Sequence, residues 1–290
     1  MAMLNIKRIL LPVDFPNTSL HVIHQATTLA RQFHAEIVLL HVVTALSQPA
    51  CVPEYGPKLD GWDMLAEIIK EAEEKKDQSL GLELQDLAIR RVLIEGDAAW
   101  AIMETAQEEK ADLIMMPSHG HTFGQFLLGS VTAKVLQGTE CPVWTDAHAE
   151  VSLVQQFSIR HILCAVDFTT YNLKAVSWAV QMAAEFGAHL TLVHVTPGVE
   201  LWGPGGNQVI PELKEEYVGN ASRQMVEFQQ KMDVAADVWI GSGDVPMVLG
   251  EAVKQTKADL LVTGCRPYGL HLRTHGYAII CAVPIPVLSM

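Results

Sequence analysis

Hydrophobic and polar residues alternate in blocks along the first half of the chain. Two runs of consecutive apolar residues, Ile9–Val13 and Ile37–Val43, are typical of parallel strands that are covered on both faces. Between these runs apolar residues recur at helical spacing, and an Asn-Thr-Ser tripeptide at 17–19 supplies residues that cap helix N-termini. The pattern therefore predicts a strand, a helix and a second strand in close succession.

The same alternation continues to residue 145. Residues 44–63 contain three prolines and two glycines and predict a long loop, after which 64–80 has the apolar stripe of an amphipathic helix. The further predicted elements are a strand over Leu87–Ile94, a helix capped by Gly96-Asp97 and running through Glu109, a strand over Asp112–Met116, a helix over Ser130–Gly138 and a strand over Pro142–Thr145. Strands that alternate with helices in this way predict a parallel sheet with helices on both faces, an α/β fold.

The whole pattern then occurs a second time. Ile6–Phe15 returns as Ile159–Phe168 with six of ten positions identical, and Lys110-Ala111-Asp112 returns at 257–259. The second copy predicts strands near 161–166, 189–195, 234–240, 259–263 and 286–289, and a long loop over the glycine- and proline-rich residues 197–211. We therefore predict two domains, 1–146 and 159–290, joined by a linker at 147–158 that is ordered enough for the domains to pack together.

Composition narrows the class of protein. The chain has 290 residues, of which 49% are hydrophobic, and a net charge of −13, which argues against nucleic acid or an anionic membrane as the main partner. Five cysteines without regular spacing indicate free thiols in a reducing compartment. The first apolar run is short and ends at Asp14, unlike a signal peptide. We expect a soluble, cytoplasmic protein.

Candidate binding residues follow two strands of the first copy. Asp14 comes directly after the first strand, and Ser118-His119-Gly120 follows the fourth. Gly129-Ser130 opens the next helix, where unpaired backbone N–H groups and the positive end of the helix dipole favour an anion. Helix capping and turn formation would explain the same residues, and the repetition of Asp14 as Asp167 fits both interpretations. The segments together predict a phosphate-binding crevice at the carboxyl edge of the sheet.

These motifs in combination resemble the universal stress protein family. The resemblance rests on Val-Asp-Phe after the first strand, Leu-His-Val ending the second, Lys-Ala-Asp-Leu-Ile, Ser-His-Gly, Leu-Leu-Gly-Ser-Val-Thr and Cys-Pro-Val, and it covers nearly the whole chain as a tandem pair. It implies two Rossmann-like, adenine nucleotide alpha hydrolase-like domains, each with a five-stranded parallel sheet between helices. Many members bind ATP or other adenine nucleotides through a G-x2-G-x9-G-[ST] motif, whereas others lack the motif and do not bind ATP.

The resemblance also implies a set of nucleotide-contacting positions in the first copy. Asp14 would hold the ribose or base, Val42 would line the adenine pocket, and Gly129 and Ser130 would hold phosphates together with Gly120. The complete implied set is Pro12, Asp14, Val42, Met116, His119, Gly120, Gly129, Ser130, Val131 and Thr132. The chain departs from the motif because Pro117 replaces the first glycine and eight residues, not nine, separate the second and third glycines. These departures affect the phosphate grip more than the adenine pocket.

The second copy has lost more of the motif. Gly264 keeps the first glycine, but Arg273-Thr274 stands where the first copy has Gly129-Ser130, so we interpret this half as degenerate. In the resembling family the last strands of two domains pair to form a dimer. A tandem chain can make that contact within itself, so we predict an intramolecular pseudo-dimer with the two final strands side by side, and further homodimerisation is left open.

The leading hypothesis is a cytoplasmic tandem universal stress protein that acts as a stress-response binding or regulatory module. It would bind ATP, with Mg²⁺, or AMP in the first domain only. Slow ATP hydrolysis or phosphoryl transfer is one alternative, with Asp14 as a magnesium ligand and His119 orienting water, and a nucleotide-free scaffold with two vestigial sites is another. We expect no metal site, because neither CxxC nor HExxH occurs. His41 and His194 are interpreted as satisfied core histidines at strand ends.

Overall fold

A computed structural model places most of the chain in two compact units. It describes residues 4–14, 19–43, 86–118, 128–146, 157–170, 172–198, 200–203, 206–209, 211–264 and 273–290. The first unit contains Asn5–Asp146 together with Phe157, and the second contains Ser158–Met290. The predicted helix over 64–80 and most of the predicted linker lie outside the described residues.

The first unit is an α/β sandwich built on a parallel sheet. Its strands are β1 (Arg8–Val13), β2 (Glu36–Val43), β3 (Ile89–Glu95), β4 (Leu113–Met116) and β5 (Val143–Thr145), and its described helices are α1 (Leu20–Phe33), α2 (Ala98–Glu108) and α3 (Ser130–Gly138). The strand order is β3-β2-β1-β4-β5, and every neighbouring pair is parallel. β1 pairs with β2 on one side and with β4 on the other, so the strand order switches direction between β1 and β4.

The second unit repeats this arrangement. Its strands are β6 (His161–Ala165), β7 (His189–Thr196), β8 (Glu200–Gly203), β9 (Gly206–Val209), β10 (Asp237–Ser242), β11 (Leu260–Thr263) and β12 (Val287–Ser289), and its helices are α4 (Asn172–Phe186), α5 (Pro211–Met232), α6 (Val245–Thr256) and α7 (Arg273–Ala282). The parallel sheet has the order β10-β7-β6-β11-β12. The predicted Rossmann-like α/β class is therefore confirmed for both copies.

The central strands are covered on both faces, as their continuous apolar runs predict. Leu10 on β1 and Ile114 on β4 are fully buried, and Val38 and Leu40 on β2 join them in one core beneath α2 and α3. Helix α1 buries an apolar stripe of Val22, Ile23, Ala26, Leu29 and Ala30. It ends at His34, which adopts the left-handed conformation (φ 53°) that commonly closes helices.

The repeated Lys-Ala-Asp motif has an architectural role. A side-chain oxygen of Asp112 accepts hydrogen bonds from the backbone N–H groups of Lys7 at 2.7 Å and Arg8 at 3.0 Å. In the second unit Asp259 accepts from Arg160 at 2.8 Å and His161 at 3.0 Å. Each aspartate thus holds the start of the first strand of its unit by hydrogen bonds, so the role of the motif in both copies is structural.

Two expectations from the pattern are wrong in the second unit. The loop expected over 197–211 contains an antiparallel hairpin, in which Glu200 faces Val209 and Gly203 faces Gly206. The strand expected from 234 begins at Asp237 instead, because Asp233 adopts a left-handed conformation and the N–H of Val234 bonds to Gln229 O at 3.0 Å, which closes α5. Glycine and proline mark the tight turn of the hairpin as readily as they mark a loop.

No helix in the described part of the chain combines the length and the apolar character needed to cross a membrane.

Candidate functional site

The crevice of the first unit lies where β1 and β4 end side by side. Asp14 follows β1 and is exposed, and Ser118 follows the residue after β4 and is buried. In an open α/β sheet this point, where the strand order reverses, is the usual place for a ligand. The topology therefore brings together two of the three segments that the sequence singled out.

The third segment is the start of α3. Gly129 is the residue before the helix (φ −58°, ψ 139°), and because glycine has no side chain the helix start has no side-chain cap. Ser130, the first helical residue, is exposed. The N–H of Gly129 donates to Ser118 O at 2.8 Å, which ties the helix start to the end of β4. The first-turn N–H groups of a helix have no intrahelical partners, so this exposed start presents donors and a positive dipole end. It is suited to an anion.

The other predicted contact residues differ in how far they are buried. The side chain of Thr132 is buried and donates to Pro117 O at 2.9 Å, so its hydroxyl braces the strand end and is not presented to a ligand. Met116 is buried in the core, and Val131 and Val42 are half-buried against that core. Pro12 is half-buried within β1. His119 and Gly120 lie outside the described residues.

A buried carboxylate that the sequence did not single out lies under the crevice. Asp146 follows β5 and is only 7% exposed. Its Oδ1 accepts from the N–H of Ser118 at 3.1 Å and lies 3.4 Å from the Ser118 hydroxyl, and its Oδ2 accepts from the Ser19 hydroxyl at 2.9 Å. Burial raises the pKa of the Asp146 carboxyl, although these hydrogen bonds and the nearby His21 act to lower it.

The second-strand histidines are satisfied by the backbone, as interpreted from the sequence. His41 Nδ1 lies 3.0 Å from Val13 O, and His194 Nδ1 lies 2.7 Å from Val166 O. Since a carbonyl oxygen only accepts, Nδ1 carries the proton in both rings. Both histidines are half-buried, because they lie at the strand ends and not in the centre of the core.

The corresponding crevice of the second unit is occupied by its own side chains. Asp167 Oδ1 accepts from the N–H of Thr169 at 3.0 Å and from its hydroxyl at 2.6 Å, so this carboxylate closes a turn. Asn172 is 5% exposed, accepts from the N–H of Asp167 at 2.8 Å and donates to Ala165 O at 3.3 Å. A Cβ on Gly264 would come within 2.6 Å of the Asn172 amide nitrogen. The polar side chain thus fills the space beside the end of β11.

An aromatic cluster covers the neighbouring strand end in the second unit. Phe168, in a left-handed conformation (φ 58°), packs on His194 with ring centroids 4.4 Å apart and meets Phe228 of α5 edge-on at 5.9 Å. Among the described residues the two crevices differ at one pair of equivalent positions, since the buried Asn172 of the second unit stands where the first unit has Ser19.

Comparison with known proteins agrees with this architecture. The model of the universal stress protein family matches the chain twice, at residues 5–145 and 158–288. A universal stress protein from Methanocaldococcus jannaschii is 33% identical over 141 residues, which are 47% of this chain and 79% of that protein. A second relative, universal stress protein A homolog 2 from Coxiella burnetii, is 31% identical over 140 residues, covering 48% of this chain and 93% of its own.

Solved structures share the fold over the full length. A universal stress protein from Archaeoglobus fulgidus covers 98% of this chain and 96% of its own, with 19% identity and a TM-score of 0.60. A protein of unknown function from Pseudomonas aeruginosa covers 98% of this chain and 92% of its own, with 16% identity and a TM-score of 0.69. With the family model matched over both halves, the chain belongs to the universal stress protein family and carries two copies of its domain.

Proposed function

We propose that the first unit is an adenine-nucleotide-binding module, and that the protein acts by binding rather than by catalysis. The observation that carries the proposal is the exposed, uncapped start of α3 at Ser130, next to the crevice between β1 and β4. The nucleotide would be ATP, entering with Mg²⁺, or AMP. The family resemblance supports an adenine nucleotide over other anions.

The residues present fit such a ligand at its phosphate end. Pro117 has no N–H to offer, and the N–H of Ser118 is already bonded to Asp146. The described phosphate donors are therefore the first-turn amides of α3 and the hydroxyl of Ser130. Asp14, which is exposed after β1, would contact the ribose or base, and half-buried Val42 would contact the adenine ring. Because most of the phosphate donors come from one helix start, we expect modest affinity for the nucleotide.

Isothermal titration of the protein with ATP and AMP tests the proposal. We expect one nucleotide per chain, and Ser130→Glu should weaken binding by about tenfold or more, because a carboxylate at the helix start repels phosphate. The same substitution places a negative charge where the helix dipole favours it, so α3 itself should not be destabilised.

The matched control is Thr170→Glu, which makes the same charge change at an exposed position at the carboxyl edge of the second unit. It should leave the affinity unchanged. Absence of heat from the unaltered protein at millimolar nucleotide, or equal weakening by both substitutions, would contradict a site at α3.

A further inference from the structure

Asp146 links the two sides of the crevice in the first unit. One of its oxygens holds Ser118 at the end of β4, and the other holds Ser19, the N-cap of α1 that follows Asp14 along the chain. The carbonyl of Ser118 in turn accepts the N–H of Gly129 at 2.8 Å. Ser118 therefore connects Asp146 to Gly129 and the exposed start of α3.

The second unit shows that the fold itself does not need this carboxylate. Met290 takes the corresponding place, since its N–H bonds to Thr263 O at 3.0 Å as that of Asp146 bonds to Met116 O at 3.2 Å. The counterpart of Ser19 is Asn172, which bonds to its own loop at Asp167 and Ala165. One copy thus completes the same sheet with an uncharged, apolar side chain.

A carboxylate in this place has a cost that needs a reason. Transferring a charged group out of water is unfavourable unless hydrogen bonds compensate, and Asp146 is 93% covered. Its two oxygens accept from two hydroxyls and one N–H, all on the segments that border the crevice, and His21 on α1 acts electrostatically to lower the pKa of its carboxyl. A side-chain carboxylate occurs at this place in the first unit, and the second unit has a methionine side chain instead.

We infer that Asp146 is a positioning residue for the nucleotide site, holding Ser118 so that the start of α3 faces the phosphates. The inference rests on the proposed function, because Asp146 would act on the ligand only through Ser118 and Gly129. It assigns to the end of β5 a part in binding that lies outside the glycine motif.

Two substitutions of the full chain test the inference. Asp146→Met copies the second unit and removes both acceptors, and we expect the ATP affinity of the folded protein to fall about tenfold or more, together with a lower melting temperature because the buried donors of Ser118 lose their partner. Asp146→Asn keeps one acceptor oxygen and should recover much of the affinity. A purely structural role would instead lower the melting temperature and leave the ATP affinity of the folded methionine variant unchanged.

Hydrogen exchange without nucleotide separates this inference from the proposed function. In Asp146→Met the amides of Ser118 and Gly129 should exchange about tenfold faster than in the unaltered protein, while those of β6 and β11 should not change. Normal ATP affinity or unchanged exchange in the methionine variant would overturn the positioning role and leave the nucleotide proposal intact. Failure of the unaltered protein to bind nucleotide would instead remove the proposed function and the ligand-directed role of Asp146 with it.

Discussion

Four aspartates of the described residues differ in burial, and two of them have opposite pKa shifts. Asp112 and Asp259 are both half-buried and accept from backbone N–H groups. Asp97 is an exposed helix cap that accepts from the N–H of Trp100 at 3.0 Å. That cap holds the pKa of Asp97 below its ordinary value. Asp146 has the opposite shift, because burial outweighs the hydrogen bonds it accepts.

The opposite shift gives Asp146 a distinct effect on stability. Since its folded pKa is raised above 3.8, the folded protein binds this proton more tightly than the unfolded chain does. The contribution to stability is full at low pH and is lost as pH rises through the folded pKa. Asp146→Asn removes this loss, so the unfolding free energy of the variant minus that of the unaltered protein should increase with pH.

Urea denaturation between about pH 4 and pH 8 measures this difference. All other titrating groups are shared by the two proteins, so the subtraction isolates residue 146. Parallel stability profiles, or a difference that shrinks as pH rises, would show that the carboxyl is not shifted upward by burial.

At the scale of elements, most helix boundaries follow from local chemistry. The Gly-Asp pair before α2 recurs before α6, where Gly243 has φ 135° and Asp244 Oδ1 accepts from Met247 N at 3.2 Å. Glycine makes the turn because other residues rarely adopt that φ, and aspartate satisfies an N–H at the helix start. Both copies therefore begin this helix in the same way.

Removing the cap of α6 should weaken the second unit measurably. We expect Asp244→Ala to lower the unfolding free energy by about 1 kcal/mol, because an N–H of the first turn loses its partner. Asp244→Ser is the control, since a serine oxygen caps the same position and should restore most of the loss. Thermal or urea unfolding of the three proteins decides, and equal stability of the alanine and serine variants would show that the cap contributes nothing.

The elements that could be predicted are those whose pattern is local. The buried runs of β1 and β2 and the Gly-Asp helix starts were predictable because each depends on neighbouring residues. The hairpin at β8 and β9 was missed because its strands are too short for alternation to show. At the candidate site the helix start at Ser130 was predicted correctly. The inward hydroxyl of Thr132 and the bridge from Asp146 depend on contacts across 15 and 28 residues, which a local pattern does not contain.

At the scale of the whole molecule, two copies of one domain have come to differ at the same edge of their sheets. Each unit has its own parallel sheet and its own buried core. The predicted pairing of the final strands and the domain boundaries stay predictions. We propose that ligand binding belongs to the first unit, which has Ser19 at the place of the buried Asn172 of the second.

Photo-crosslinking with an azido derivative of ATP tests this division on the intact chain. Labelled peptides should come from the first unit, and excess unmodified ATP should suppress the labelling, because buried Asn172 fills the space beside Gly264 in the second unit. Suppressible labelling of peptides from 158–290 would show that the second unit also binds nucleotide. Ser130→Glu serves as the control and should reduce the specific label in proportion to its weaker binding.

The contact between Asn172 and Gly264 has a consequence for the meaning of the glycine that the second unit shares with the family motif. The first copy has Ser19 and Pro117 at the places where the second has Asn172 and Gly264. A side chain at 264 would be forced against the hydrogen-bonded amide of Asn172, so packing alone requires glycine there. A variant that opens this crevice must therefore shorten residue 172, because Gly264 is already the smallest residue.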